Sequence, residues 1–387
     1  MTYSSDSWIK LSSLTFLCIV LMTACQKAPE SSLDLIDLDA LSDDANGISI
    51  SEIFQLEKVL PLETSERTFM TYERVSRVVR DSLLLIKTND RILLFNLNSG
   101  ALESEVAKKG PAPEEFYQSI KGMFVYSEIN SIFAKKKPFE IMSYGEDQAL
   151  RSITIPDLSI GEGFSKGLLT QFAVLADRSL VGYMMNFSGD EKIKLVQFDS
   201  LGNVIKIHPN HLTFRKKPGR IRLERTSFHY YQRDLFFKEP YNDTLFRLSN
   251  EELSPQYIFK SKNRSPIYEE QDFLEKEDRG ELYLIDGIFQ DDTFIYFKYR
   301  FREEESFGVY SKKDKWTKFI DKNNQETNLN AFILPPGFNY KDHYVFETKA
   351  WRVFESTPES ELKSEFGIIP SEDEQNPILF FLKRKNQ

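Results

Sequence analysis

An internal repeat of about fifty residues constrains the fold of this chain more than any other feature. Each copy reads as an apolar strand, a polar turn, a strand ending in an aromatic residue, a tight turn and an amphipathic strand. Five copies occur, at residues 82–106, 129–155, 179–207, 234–259 and 294–320. The aromatic residues before the tight turn are Phe95, Tyr144, Phe198, Phe246 and Tyr310, which lie 49, 54, 48 and 64 residues apart. A repeat of this length is the size of one blade of a β-propeller.

The segments around the repeats predict how many blades there are. A further strand-like run precedes each copy, so that each unit contributes four strands. Residues 343–350 and 377–383 form a sixth unit, interrupted by a charged insertion. The strand-like segment at residues 53–62 can supply its missing outer strand, which would close the ring and remove exposed strand edges. The sequence therefore predicts an all-β fold: a six-bladed β-propeller of four-stranded blades, closed by pairing the N-terminal strand with the C-terminal blade.

The N-terminal segment has the pattern of a secretory signal that ends at a cysteine. No charged residue lies between Leu11 and Cys25, and a polar segment follows. The apolar stretch is too short to span a bilayer as a mature helix. Thr23-Ala24-Cys25 is similar to the lipobox of bacterial lipoproteins, so we expect Cys25 to carry the lipid; the alternative is an ordinary cleaved signal with an unrelated cysteine. The predicted domains are a signal peptide at residues 1–24, a flexible acidic tether at 25–49 and the propeller domain at 50–387.

Composition limits the classes of function. The chain has two cysteines, and Cys18 lies within the predicted signal, so the mature chain would form no disulfide. A net charge of −9 argues against a nucleic-acid partner. The four histidines form no metal-ligand pattern, and we expect neither a metal nor another cofactor. Nucleophilic catalysis has no motif to support it. A carboxylate pair for glycan cleavage leaves no pattern in a sequence and stays open.

One segment reverses the acidic balance of the chain. Residues 214–231, FRKKPGRIRLERTSFHYY, contain six basic residues against one acid and end in aromatic residues. They lie between the third and fourth repeats, where a connection lines one mouth of a propeller. Guanidinium groups bind anions bidentately, and aromatic rings supply stacking surfaces. The alternative is a solvated loop followed by an ordinary inner strand. The residues predicted to bind a ligand are Arg215, Lys216, Lys217, Arg220, Arg222, His229, Tyr230 and Tyr231.

Four motifs resemble those of the six-bladed β-propeller lipoproteins common in Bacteroidota. They are VLPLET at 59–64, GPAPEEF at 110–116, PYNDTLFRL at 240–248 and NPILFFLK at 376–383. The second motif departs from the family at Ala112, where glycine is usual. The resemblance covers nearly all of the mature chain and implies the fold and an envelope location, but most members have no assigned activity. It gives structural roles to Gly110, Pro113, Glu115, Asn242, Asp243, Asn376 and Pro377.

Three functions fit these observations. The preferred one is a lipid-anchored protein of the cell envelope, expected at the outer membrane, that binds an anionic glycan or an envelope protein at one mouth without catalysis. The second is a glycan-active hydrolase or lyase that uses carboxylates on the same face. The third is a protein-binding subunit of an outer-membrane uptake or sensory assembly. A basic, aromatic mouth would favour the binder, a ring of acids the enzyme, and a broad apolar patch the assembly.

Overall fold

The structure is a computed structural model of the 387-residue chain. The residues that it describes are 33–42, 47–70, 76–88, 90–110, 112, 115, 123–124, 131–137, 140–145, 150–154, 169–175, 177–186, 188–217, 227–239, 241–249, 252–273, 280–302, 304–321, 337–366, 368 and 375–385. Cys25 and the predicted signal peptide therefore lie outside the described residues.

Within these residues the strands form six sheets, each built from an antiparallel set of four. Sheet I contains β4 (Ser76–Arg80), β5 (Leu83–Lys87), β6 (Arg91–Asn96) and β7 (Leu102–Lys108). Sheet II contains β8 (Met123–Phe124), β9 (Ser131–Lys137), β10 (Glu140–Gly145) and β11 (Leu150–Thr154). Sheet III contains β12 (Leu169–Val174), β13 (Leu180–Met184), β14 (Ile193–Phe198) and β15 (Val204–Pro209).

The other three sheets each include a strand from the N-terminal part of the chain. Sheet IV contains β16 (Ser227–Tyr231), β17 (Asp234–Lys238), β18 (Thr244–Ser249), β19 (Glu252–Lys260) and, beyond β19, β1 (Asp34–Asp37). Sheet V contains β20 (Leu284–Gln290), β21 (Phe294–Phe301), β22 (Glu304–Ser311), β23 (Thr317–Ile320) and, parallel to β23, β2 (Gly47–Ile48). Sheet VI contains β24 (Phe338–Tyr340), β25 (His343–Thr348), β26 (Ile378–Arg384) and β3 (Phe54–Pro61).

Short helices occupy a few connections. Helix α1 (Ile50–Ile53) precedes β3, and its N-terminus is capped by Ser49. Helices α2 (Ala350–Ser356) and α3 (Glu359–Phe366) fold the charged insertion of the sixth unit. Two 3₁₀ turns span Asp39–Ser42 and Tyr268–Glu270.

The fold is a mostly-β propeller. Five blades form a ring, where the sequence predicts six. The first strands of two sheets are very short: β8 has two residues and β24 has three. Strand β3 pairs with β26 in a register that runs from Pro61 opposite Ile378 to Phe54 opposite Arg384. These are the N-terminal and C-terminal segments whose pairing the sequence predicts.

Apolar side chains form the core between neighbouring sheets. One cluster joins sheets II and III, and others join III to IV, IV to V, V to VI and VI to I. Inner strands are continuous runs of apolar residues because both of their faces are covered, as in Leu84, Leu85 and Ile86 of β5, none of which is exposed.

Part of the predicted tether is folded, so the prediction of a flexible spacer is wrong for residues 34–42. Ile36 and Leu38 are at most 1% exposed and pack in the core between sheets IV and V. The Leu38 amide donates to Lys260 O over 2.8 Å, and the Asp39 carboxylate accepts from Ser261 Oγ and the Lys262 amide. The acidic composition predicted a solvated chain, but the alternation of acids with leucine and isoleucine lets one face enter the core.

Candidate ligand-binding site

Hydrogen bonds hold the chain in place where the basic segment begins. Asn210 Oδ1 accepts from the Leu212 amide, and Asn186 Nδ2 donates to Leu212 O over 3.1 Å. The Phe214 amide donates to Gly189 O over 2.8 Å. Gly189 has φ of +91°, and a Cβ there would lie 2.2 Å from Phe214 O. Only glycine permits this approach, so the chain enters the basic segment in a fixed position.

A buried polar network lies at the same end of sheets III and IV. Glu239 is 2% exposed and accepts from Tyr183 Oη over 3.2 Å and from Asn242 Nδ2 over 3.1 Å, while it pairs with Lys194. Lys238 donates to Glu239 O and Asn242 O, and burial lowers the pKa of Lys238 to about 8. The charges of this network are satisfied internally, so its role is to hold the connections.

Three basic residues continue from that anchor to the surface. Arg215 is exposed, and its guanidinium carbon lies 4.9 Å from the ring centroid of Phe273, which is 39% exposed. Lys216 Nζ lies 3.5 Å from Asp272 Oδ2, and the Lys217 amide donates to the same oxygen over 3.1 Å. Within the described residues no carboxylate pairs with Arg215. The Phe273 ring therefore orients a guanidinium whose N–H groups remain available to an anion.

The aromatic residues of the prediction point elsewhere. Tyr230 Oη donates to Val174 O over 2.8 Å and accepts from the Val174 amide over 3.0 Å, so it joins sheet IV to sheet III. Tyr231 Oη donates to Asp292 Oδ1 over 2.8 Å, and Lys312 Nζ lies 3.9 Å from the Tyr231 ring centroid. Strand β16 starts after the basic connection and ends at its hairpin with β17. Tyr231 thus lies at the far end of the strand from the connection.

His229 lies between β17 of its own sheet and β20 of sheet V. Its ring stacks on Phe236 at 5.2 Å, and its Nε2 lies 3.1 Å from Gln290 Nε2. Burial, with a smaller effect of the Lys312 charge, lowers the pKa of His229 to about 3. His229 is therefore neutral at pH 7 and adds no positive charge to the basic segment. Arg220 and Arg222 lie outside the described residues.

Sequence reasoning missed a charged cluster at the far end of β16. Asp291 lies in the hairpin between β20 and β21, where an acid is usually solvated, but it is only 7% exposed. Its Oδ1 accepts from the Thr293 and Phe294 amides, and its Oδ2 pairs with Arg384. Lys312 Nζ donates to Asp291 O over 2.5 Å. The cluster joins sheet V to the end of β26, and no local sequence pattern could reveal a partner 93 positions away.

The motif residues make structural contacts where they are described. Glu115 Oε2 accepts from the Ala112 amide over 3.0 Å, and a Cβ at Gly110 would lie 1.8 Å from the same oxygen. Asp243 pairs with Lys260 at 3.6 Å. Asn376 is 2% exposed, accepts from the Met70 amide, and donates to Glu63 O and Thr68 O. Pro377 O accepts from the Leu62 amide. Pro113 lies outside the described residues.

The described residues contain no cluster of histidine, cysteine, aspartate or glutamate that could hold a metal ion. Nor do they include a helix with the length and apolar character needed to cross a membrane.

A family model described as a domain of unknown function, DUF4934, matches residues 33–383. The chain belongs to this family. A crystal structure of a “putative exported protein” from Bacteroides fragilis shares its fold, with a TM-score of 0.66 and 17% identity, over 91% of this chain and 99% of that one. The N-terminal domain of Nup159 matches with a TM-score of 0.41 and 10% identity, over 80% of this chain and 76% of that one. No functionally curated protein matches the DUF4934 chain.

Proposed function

We propose that this DUF4934 chain is an exported, envelope-anchored propeller that binds an anionic ligand, an acidic or sulfated glycan, without catalysing a reaction. The observation that carries the proposal is the exposed Arg215 guanidinium, stacked on the exposed ring of Phe273 and followed by two lysines. A planar guanidinium that is oriented before binding loses less freedom when it meets a sulfate or carboxylate. The exposed ring beside it offers a surface for a sugar.

The charges around Arg215 set how strong this attraction is. Asp272 neutralises part of the segment through Lys216, and it is 1% exposed, so this pair anchors the segment. Arg215 then supplies the exposed positive charge among the described residues of the segment. Because its charge is exposed, salt screens its attraction for an anion over a Debye length of ~8 Å at physiological ionic strength.

The proposal that no reaction is catalysed is supported by what three of the buried acids do. Glu239 pairs with Lys194, Asp272 with Lys216 and Asp291 with Arg384. Carboxylates committed to ion pairs and backbone donors hold the fold, and such groups serve poorly as general acids or bases.

Binding is tested with the mature chain and an array of neutral, carboxylated and sulfated glycans at low and high salt. The Arg215→Ser variant is expected to lose at least tenfold in affinity for the sulfated glycans. The matched control is Arg352→Ser, because Arg352 is also exposed and lies 5.3 Å from the ring of Trp351 but is not followed by lysines. Binding that survives both high salt and Arg215→Ser would remove the proposal.

The proposal includes six blades in one closed ring. Its support is that the core clusters link the sheets in the order II, III, IV, V, VI and I. The first strands of sheets I and II are also in contact, as are those of VI and I. Truncation before Glu63 removes β3 and exposes the edge of β26. The truncated protein should therefore melt at a lower temperature or lose cooperative unfolding, and a protein that melts like the parent would contradict closure.

Anchoring rests on Cys25. We expect the thiol of Cys25 to be acylated and residues 1–24 to be absent from the mature protein. Cys25→Ala should abolish labelling with a palmitate analogue and release the protein from membranes. A variant that still labels and fractionates with membranes would show that the lipid is attached elsewhere.

A further inference from the structure

An exposed apolar cluster lies on the outer edge of sheet III. Nine large hydrophobic residues are exposed among the described residues, and four of them fall within residues 201–207. These four are Leu201, Val204, Ile205 and Ile207, with exposures of 76%, 39%, 49% and 39%. Leu201 lies in the hairpin before β15, and β15 is the last strand of its sheet. An edge strand presents backbone N–H and C=O groups that can pair with another chain.

Three other outer strands of this protein are protected. Strand β7 of sheet I exposes Glu103 and Glu105, and charged residues at an edge discourage pairing. The outer strands β19 and β23 are covered by β1 and β2. Strand β15 carries one charged residue, Lys206, and no acid, and no further strand is paired with it in the described residues.

The chain itself shows what its outer edges accept. Strand β1 is a four-residue segment, DLID, which adds to β19 and leaves Ile36 fully buried with Asp37 exposed. Strand β2 has two residues and adds Ile48, which is 7% exposed, to the edge of β23. An outer edge of this propeller therefore accepts a short extended segment that buries an apolar side chain.

The two sides of β15 differ in chemistry. Ile207 lies opposite Val196, which belongs to the core shared with sheet II. Lys206 lies opposite Gln197, and within the described residues no acid pairs with Lys206. A strand added outside β15 would therefore meet apolar side chains on one side and a positive charge on the other. Alternating apolar and acidic residues match that arrangement.

We propose that β15 binds an extended segment of a partner protein, with alternating apolar and acidic residues, as a fifth strand of sheet III. Backbone pairing would supply affinity, and Ile205, Lys206 and Ile207 would select the side chains. This surface is an outer edge and is separate from the Arg215 segment, so the two proposals stand or fall independently.

The probe is a fluorescein-labelled, photo-cross-linkable peptide with the sequence LDLIDLDAL, which is residues 33–41 of this chain. Fluorescence anisotropy with the mature protein measures its affinity, and mass spectrometry locates the cross-links. We expect cross-links within residues 201–209 and at least a tenfold loss of affinity in Ile207→Lys. Lys206→Glu should weaken binding several-fold, and a peptide with lysine in place of each aspartate should then bind better than the acidic one.

The control is Ile267→Lys, because Ile267 is 52% exposed and lies outside sheet III. It should bind the peptide as the parent does. No binding at about 1 mM peptide, or cross-links in β19 where β1 already pairs, would overturn the proposal. Light scattering without peptide distinguishes a second copy: a dimer that Ile207→Lys dissociates would make the occupant another molecule of this chain and would also overturn it.

Discussion

Replacing Arg384 with methionine should destabilise the protein by about 3 kcal/mol, because the substitution leaves a buried carboxylate without its cation. Arg384 is the last residue of β26, and its Nη1 donates to Thr293 Oγ1 over 2.7 Å while Nη2 pairs with Asp291. Its guanidinium also lies 5.2 Å and 5.1 Å from the rings of Phe294 and Tyr344. Breaking a buried pair from one side costs about 3–5 kcal/mol. We place the loss at the lower end because Asp291 keeps its two backbone donors.

Differential scanning calorimetry of the mature chain measures this loss. For a cooperative unit of about 350 residues, about 3 kcal/mol lowers Tm by about 4 °C. Asp291→Asn alone should also destabilise, since it leaves Arg384 without an anion. The double variant should lose less than the sum of the single variants, because neither charge remains buried alone. A Tm for Arg384→Met within about 1 °C of the parent, or strictly additive losses, would refute the reasoning.

Three further substitutions test other parts of the structure. His229→Phe should flatten the pH dependence of stability between pH 7 and 5. The folded pKa of His229 is lowered to about 3, so below about pH 6.5 the unfolded state binds the proton first. Urea titrations should therefore show that the parent loses stability as pH falls and that the variant does not. Gly189→Ala should destabilise by more than about 1 kcal/mol and weaken glycan binding, because its Cβ would collide with Phe214 O; equal binding and Tm would contradict this. Asn376→Ala should cost about 2–3 kcal/mol and speed hydrogen exchange at the Met70 amide, which loses its acceptor; unchanged exchange there would refute the role.

The sequence predicts the strands of the propeller well because their pattern is local. An aromatic residue before a tight turn recurs in each repeat, and the flanking alternation requires no knowledge of distant partners. At the N-terminus, a prediction based on composition was wrong. Acidic residues around Ile36 and Leu38 suggested a solvated tether, yet the spacing of these two side chains places both in the core. In this segment the two-residue spacing of the apolar side chains predicts their burial better than the acidic composition does.

The candidate site was only partly predictable because its partners come from distant segments. Arg215 was identified from local charge reversal, but Phe273 and Asp272, which orient the segment, lie on another connection. The sequence prediction placed Tyr230 and Tyr231 at one site, but adjacent residues on a strand point to opposite sides. One bonds to sheet III and the other to sheet V. Consecutive aromatic residues in the sequence therefore do not all contribute rings to one ligand site.

The structure separates the groups that hold the fold from those that remain available for binding. Buried charges such as Glu239 and Asp291 are paired, and their loss should appear in stability. Arg215 and Ile207 are exposed and hold little together, so their substitution should leave Tm nearly unchanged while it alters binding. This separation makes the binding experiments interpretable: a variant that loses its ligand and keeps its Tm has lost a contact, and one that loses both has lost the fold that positions it.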